Sequence, residues 1–412
     1  VSPSAATQEL PEQATPSRAR YGKVLGSREF RTIFVADIVS MLGNVVAAVA
    51  LTVLIYERTG SPALAASVMA LAFLPYLLGG VLLGAAPDRW PARRVLVCCD
   101  LLSAVIVAAM VLPGVPVVAL LALLFANGLI SPVYQGVRSS VLPQVLSPGP
   151  DYVLARSMLR IVAQSAQIAG YGAGGLLLAF LAPRGALAFD AASFAASALL
   201  LRIGLRHRPA MAVAASSMAR DSLAGVRGVL AHRGIRRILL FSCLVPTCAV
   251  APEALAAPYA AHIGQPARAA GFLLMGLPIG MVAADLIVAR LLRPGLQRRL
   301  IGPAAVLVFA PLFAFAGSPP LLLAITLLVF SGLGMAWSPG LDMLMLDTAP
   351  PELRNRALAL QGAALMFTQG AGFALWGLAG QFAPLVVVIP SAAVAGLVVV
   401  LVFRPRSRGP AG

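Results

Sequence analysis

Twelve runs of apolar residues, each close to 20 residues long, divide this chain, and a bundle of membrane-crossing helices is the fold that can bury so many of them. They fall near positions 32–56, 62–86, 95–113, 115–137, 158–182, 185–203, 238–260, 269–289, 300–316, 320–341, 357–380 and 383–403. A helix of about 20 residues rises about 30 Å, the thickness of the hydrocarbon layer of a bilayer. Composition points the same way: 59% of the 412 residues are hydrophobic and 11% are charged. A soluble domain is about a quarter charged, so a soluble enzyme of this size would have almost no surface to show to water. The expected fold class is therefore an all-α membrane protein with twelve transmembrane helices. Residues 1–28 are polar, with Pro3, Pro11 and Pro16, and contain no apolar stretch. No cleavable signal peptide is read there, and the first run itself is expected to direct insertion.

A formal net charge of +16 invites a nucleic-acid partner, but the positions of the charges speak against one. With the N-terminus in the cytoplasm, 28 of the 31 basic residues fall on that side, in tails and short loops. Only Arg58, Arg184 and Arg268 fall on the other. This asymmetry sets orientation in membrane proteins, so both termini are expected in the cytoplasm. Anionic lipid head groups, not nucleic acid, are the expected neighbours of the arginines. The basic residues are arginines except for Lys23, which suggests a GC-rich bacterial genome and a bacterial cytoplasmic membrane. Cys98, Cys99, Cys243 and Cys248 have no CxxC spacing, and none of the three histidines lies inside a run. Neither a metal nor another cofactor is expected.

The chain also repeats itself. At an offset near 204, Arg28-Glu29-Phe30-Arg31 matches Arg233-Gly234-Ile235-Arg236, and Pro91-Ala92-Arg93-Arg94-Val95 matches Leu296-Gln297-Arg298-Arg299-Leu300. At an offset of 200, Arg156 and Gly170-Tyr171-Gly172 match Arg356 and Gly370-Ala371-Gly372. Two six-helix bundles, 29–203 and 234–412, are expected, with a tail 1–28 before them and a linker 204–233 between them. Within the linker, Ala219 to Ala231 reads either as a helix lying on the membrane surface or as a plain connection.

One loop carries a resemblance. Gly84-Ala-Ala-Pro-Asp88-Arg89-Trp-Pro-Ala-Arg93-Arg94 resembles the signature loop of the major facilitator superfamily, G-x-L-A-D-R-x-G-R-R, with Pro91 at the second glycine. Further segments resemble the twelve-span drug:proton antiporter branch, which includes macrolide and siderophore exporters. They are Leu25 to Arg31, Glu57 to Pro62, Asp100-Leu-Leu, Arg138 to Pro143, Ala166 to Gly170 and Pro350 to Arg356. The antiporter motif G-x-x-x-G-P-x-L-G-G has its counterpart in Ala166 to Gly175, where Ala166 replaces the first glycine and Tyr171 the proline. Asn44 stands where the branch commonly has an aspartate. The resemblance implies two pseudo-symmetric bundles around a central cavity, alternating access, and Asp88, Arg89, Arg93, Arg94 and Arg356 as parts of a cytoplasmic latch.

Polar residues inside the runs need a reason, since a charge at a helix centre costs about 2.5–3.5 kcal/mol on insertion scales. Asp37, Ser40, Asn44 and Thr52 share one face of the first run, and Asp37 reads as a proton or substrate group or as a structural ion pair. Asn127, Ser131, Tyr134 and Arg138 share a face of the fourth. In the family fold the fourth and tenth runs face each other, so Arg138 and Asp342 form a candidate gate pair, or else two separate interfacial charges. Arg160, Gln164, Gln167 and Tyr171 line one face of the fifth, suited to a polar substrate or to packing against the other bundle. Trp337 is a further cavity candidate, with packing as the alternative. Glu253, after Pro252, is a candidate proton carrier or a group at the extracellular mouth. Asp190 is a third proton-coupling candidate, with a cap at the start of its helix as the other reading. No HExxH, GxSxG or P-loop is present, so no enzyme and no direct use of ATP is expected. The expectation is a monomeric secondary transporter that exports a small amphiphilic molecule in exchange for protons. A dedicated siderophore or metabolite exporter and a flippase-like lipid transporter are the alternatives.

Overall fold

A computed structural model describes residues 24–75, 90–146, 150–180, 182–206, 229–292 and 294–404. The first half holds α1 (Arg28–Thr59), α2 (Pro62–Phe73), α3 (Ala92–Val111), α4 (Val117–Val145), α5 (Pro150–Phe180) and α6 (Pro183–Gly204). The second holds α7 (Arg233–Ala249), α8 (Ala270–Leu291), α9 (Pro294–Phe309), α10 (Leu321–Leu333), α11 (Pro351–Phe382) and α12 (Leu385–Phe403). Among the described residues, nine segments are long and apolar enough to cross a membrane. The helices α5 and α11, at 31 and 32 residues, also have the length to do so. The interior of the bundle does not account for all the apolar side chains: Phe180, Phe382, Leu322 and Leu401 are each about four-fifths exposed. That outward-facing apolar surface is what a lipid environment requires.

Local chemistry sets the helix ends. Ser27 caps α1, its Oγ accepting from the Phe30 N–H at 3.4 Å. The helix stops at Gly60, whose φ of 63° places it in the left-handed region that glycine enters without strain. Ser61 then caps α2 by accepting from the Leu64 N–H at 3.3 Å, with Pro62 at the first helical position. The seventh and tenth runs are not single rods. Pro246 lies inside α7, which gives way to two short helices, Ala251–Ala254 and Ala256–His262, interrupted again around Pro252 and Pro258. Each proline removes a backbone donor and crowds the preceding turn. The tenth run passes from α10 through a 3₁₀ turn, Gly334–Ala336, into the helix Trp337–Thr348.

The two halves meet through α2 against α11 and α5 against α8. The described contacts between them lie toward the face with few arginines. Ser61 Oγ donates to Gln381 Oε1 at 2.7 Å, and the rings of Phe73 and Phe373 stack with centroids 5.8 Å apart. The helices α5 and α8 cross backbone to backbone, and a Cβ at Gly271 would lie 2.7 Å from Gly175 Cα and from the Tyr171 carbonyl oxygen. The glycines of the motif Ala166 to Gly175 thus serve close helix approach. Gly271→Val is expected to cost about 1–3 kcal/mol through overpacking. Gly136→Ala on α4, where an added Cβ meets nothing within 4 Å, should cost nothing. Thermal unfolding in detergent checks this, and an equal fall in both variants would remove close packing as the cause.

Candidate functional site

Buried polar groups concentrate in the first half. Asp37, Ser40, Asp100, Ser103, Asn127, Asp190, Ser193 and Ser197 are all buried there, against Ser242 and Ser331 in the second half. Packing brings several of them together. Ile33 and Ala36 of α1, Leu96 and Cys99 of α3, Ile130 and Val137 of α4 and Leu201 of α6 form one apolar cluster. Its neighbours in sequence, Asp37, Asp100, Tyr134 and Arg138, line a cavity of about 210 Å³ beside it.

Each buried acid has a partner. A guanidinium nitrogen of Arg138, Nη1, pairs with Asp37 Oδ1, and its Nη2 donates to Gln135 Oε1 at 2.5 Å, one turn back on α4. The Ser197 hydroxyl of α6 donates to Asp100 Oδ2 at 2.5 Å. Ser193 Oγ lies 2.8 Å from the Asp190 carbonyl oxygen and 3.3 Å from its carboxylate. Gly43 of α1 makes room for this pair, since a Cβ there would fall 2.7 Å from Asp190 Oδ1. Burial without such partners would be prohibitive for an ionised acid.

A second cavity, of about 390 Å³, adjoins the first and shares Met41, Asn44, Asn127, Ser131 and Gln135 with it. Its walls are largely apolar, with Leu51, Met69, Phe73, Val107, Leu124 and Leu187, and Met366 of α11 contributes from the other half. Asn44, Asn127, Ser131, Gln135, Gln167, Tyr171 and Asp190 are its polar points, and the Gln167 amide donates to Tyr171 Oη at 3.2 Å. Asn127 Oδ1 and Tyr134 Oη are buried without a hydrogen-bond partner among the described residues. An unsatisfied buried group costs about 1–3 kcal/mol, so both atoms are suited to a bound molecule or water.

The remaining expected site residues lie elsewhere. Trp337 lines neither cavity; it packs edge-on against Phe241 with centroids 5.4 Å apart, in the apolar core of the second half. Thr52 also stays out of both cavities and donates to the Ala48 carbonyl at 2.8 Å. Asp190 does not cap its helix, because α6 begins at Pro183 and has no acid in its first turn. Glu253 sits half-buried in the short helix Ala251–Ala254, within electrostatic range of Tyr171. Arg138 and Asp342 are not joined: Arg138 holds Asp37, and Asp342 accepts from the Gln361 amide at 3.3 Å within its own half. Arg93 and Arg94 occupy the first turn of α3. Asp88, Arg89 and most of the possible linker helix lie outside the described residues, as do the side chains of Gln164 and Arg356. Asp100, Gln135 and Ser197 were not among the expected site residues. The signal available for them is the spacing of Asp190, Ser193 and Ser197 on α6, and of Asp100 and Ser103 on α3, each a narrow polar face in an apolar helix.

Two helical halves, with buried charges inside the first and a cavity there that Met366 of the second also lines, fit the architecture of a secondary transporter. The chain belongs to the Major Facilitator Superfamily, whose sequence model matches residues 33–372. The multidrug efflux pump Tap of Mycolicibacterium fortuitum is 30% identical in an alignment of 393 residues that covers 91% of this chain and 95% of that protein. Solved structures share the fold at low identity. A peptide transporter, POT, superposes with a TM-score of 0.71 at 14% identity, covering 91% of this chain and 93% of that one. The nucleoside transporter NupG gives 0.69 at 18%, covering 90% and 98%. The xylose transporter XylE from E. coli gives 0.66 at 16%, covering 95% and 98%. Peptides, nucleosides and xylose are different cargoes, so the fold sets the transport mode and the cavity walls set the substrate.

Proposed function

We propose that this protein exports an amphiphilic small molecule across the bacterial cytoplasmic membrane, in exchange for protons, by alternating access of its two halves. The observation that carries the reading is the larger cavity. Its volume is in the range of about 300–1,000 Å³ usual for ligand pockets, and its apolar walls with a few polar points suit a molecule that is part greasy and part hydrogen-bonding. Its likeness to a multidrug efflux pump supports the outward direction. Buried carboxyls beside the cavity supply groups able to take up and release protons. In this reading the halves are residues 29–203 and 234–412, joined by 204–233, with both termini in the cytoplasm and anionic lipids around the arginine-rich face. The protein acts as a monomer.

Expression in an efflux-deficient bacterial host should raise resistance to some members of a panel of amphiphilic compounds. For a hydrogen-bonding compound that passes, Asn127→Leu is expected to raise the apparent KM about tenfold, equivalent to about 1.4 kcal/mol for one hydrogen bond. Its effect on Tm should be small, because Asn127 Oδ1 has no protein partner to lose. Vesicles that flip a labelled lipid but leave the whole panel untouched would replace this reading with a lipid transporter.

A further inference from the structure

The smaller cavity is too small for a drug-sized ligand, at about 210 Å³, and its wall holds two carboxyls with one guanidinium among the described residues. Asp37 on α1 and Asp100 on α3 lie within electrostatic range of each other. Arg138 and Tyr134 on α4 line the same cavity as both acids, Phe194 of α6 completes its wall, Ser197 of α6 bonds to Asp100, and Cys99 stands beside Asp100. Only Asp37 holds the guanidinium in this structure, while Asp100 is met by a hydroxyl. Tyr134 Oη, buried and unpartnered, lines the same space, as does Asn127 Oδ1 of a side chain more than nine-tenths buried.

We propose that Arg138 is shared between Asp37 and Asp100, so that Asp100 is a second proton-exchanging residue and the three side chains form a two-position switch. In the proposed switch Asp37, which holds the guanidinium here, is the carboxylate, and Asp100, which a hydroxyl meets, is the acid. When Asp37 takes up a proton, its charge is cancelled and the guanidinium is released. Arg138 then turns to Asp100, whose proton leaves to water in the cavity. Only O–H bonds form and break, and each position holds one carboxylate, one carboxylic acid and one guanidinium. The site is neutral at either end of the exchange, which is the condition a low-dielectric interior imposes. The inference rests on the proton-exchange part of the proposed function for its use, but not for its geometry.

The first test needs no substrate. In the purified full-length protein, Asp37→Asn and Asp100→Asn should each lower Tm little, because Arg138 keeps one acid. The double variant strands the guanidinium, and its Tm should fall below the sum of the single losses by about 3 °C or more. Adding Arg138→Gln to the double variant should recover part of that loss, and a double variant that cannot be purified while the triple can gives the same answer. Additive losses overturn the shared arginine. The second test uses ethidium as probe in proteoliposomes. Asp100→Asn should lose accumulation driven by an imposed pH gradient and keep ethidium counterflow at equal pH, with Asp100→Glu partly restored. Accumulation at the wild-type rate in Asp100→Asn overturns its role in proton exchange. If the wild-type protein does not move ethidium, the export reading loses support, and the Tm cycle alone decides the switch.

Discussion

Arg138→Gln is expected to lower stability by about 3–5 kcal/mol, whereas Arg298→Gln should cost no more than about 1 kcal/mol, although each removes the basic partner of an ion pair. The difference comes from where the pairs sit. The side chains of Arg138 and Asp37 are 18% and 9% exposed, and those of Arg298 and Asp347 are 40% and 51% exposed. Water takes over the solvation of Asp347 once Arg298 is gone. Asp37 sits beside the apolar cluster of Ile33, Ala36, Ile130 and Val137, where bulk water does not reach it as it reaches Asp347. Adding Asp37→Asn to Arg138→Gln should recover part of the loss, because a buried amide is cheaper than a buried unpaired charge. Thermal unfolding of the four proteins in one detergent measures all of this. Equal losses in Arg138→Gln and Arg298→Gln would mean that the cavity solvates the first pair as well as bulk water solvates the second.

What the sequence alone made legible follows from how strongly each feature is periodic. The apolar runs, the repeat and the polar faces of α1 and α4 are long enough for a 3.6-residue period to stand out. Asp37, Ser40 and Asn44 accordingly line the smaller cavity together with Asn127, Ser131, Tyr134 and Arg138. Asp100 was harder to see. It shares α3 with Ser103 alone among the cavity's polar residues, and its partner Ser197 is 97 positions away on another helix. A hydrogen bond of that range depends on how α3 packs against α6, which no local pattern encodes. The partner of Arg138 is a similar case. The charge pattern offered Asp342, the position matched to Arg138 by the repeat, but α4 packs against α1 inside its own half and presents Asp37 first. Hydropathy also could not show the breaks in the seventh and tenth runs, because a single proline or glycine is averaged out among strongly apolar neighbours. The two candidates in these interrupted runs, Glu253 and Trp337, lie in the second half, away from the buried acids of the first.

Neutralising the coupling acid should have the largest effect on function. Asp37→Asn is expected to reduce ethidium export driven by an imposed pH gradient by about 10²-fold or more, the scale on which a positioned proton-transfer group contributes. Counterflow at equal pH should persist, since exchange of substrate for substrate needs no net proton movement. Among the buried acids of the described residues, Asp37 alone is paired with a cation in this structure, which a proton on Asp37 would release. Glu253→Gln should leave gradient-driven export largely intact, because Glu253 lies in a short helix of the second half and has no cationic partner among the described residues. Asp190→Asn should fall between them. Its carboxylate borders the larger cavity and is held by Ser193 on its own helix, so its loss should act first on KM for the substrate. Gradient-driven export in proteoliposomes, run beside counterflow for each variant, separates the three. If Glu253→Gln loses gradient-driven export while Asp37→Asn keeps it, the proton moves through the broken seventh run instead, and the buried acids of the first half serve only to hold its helices together.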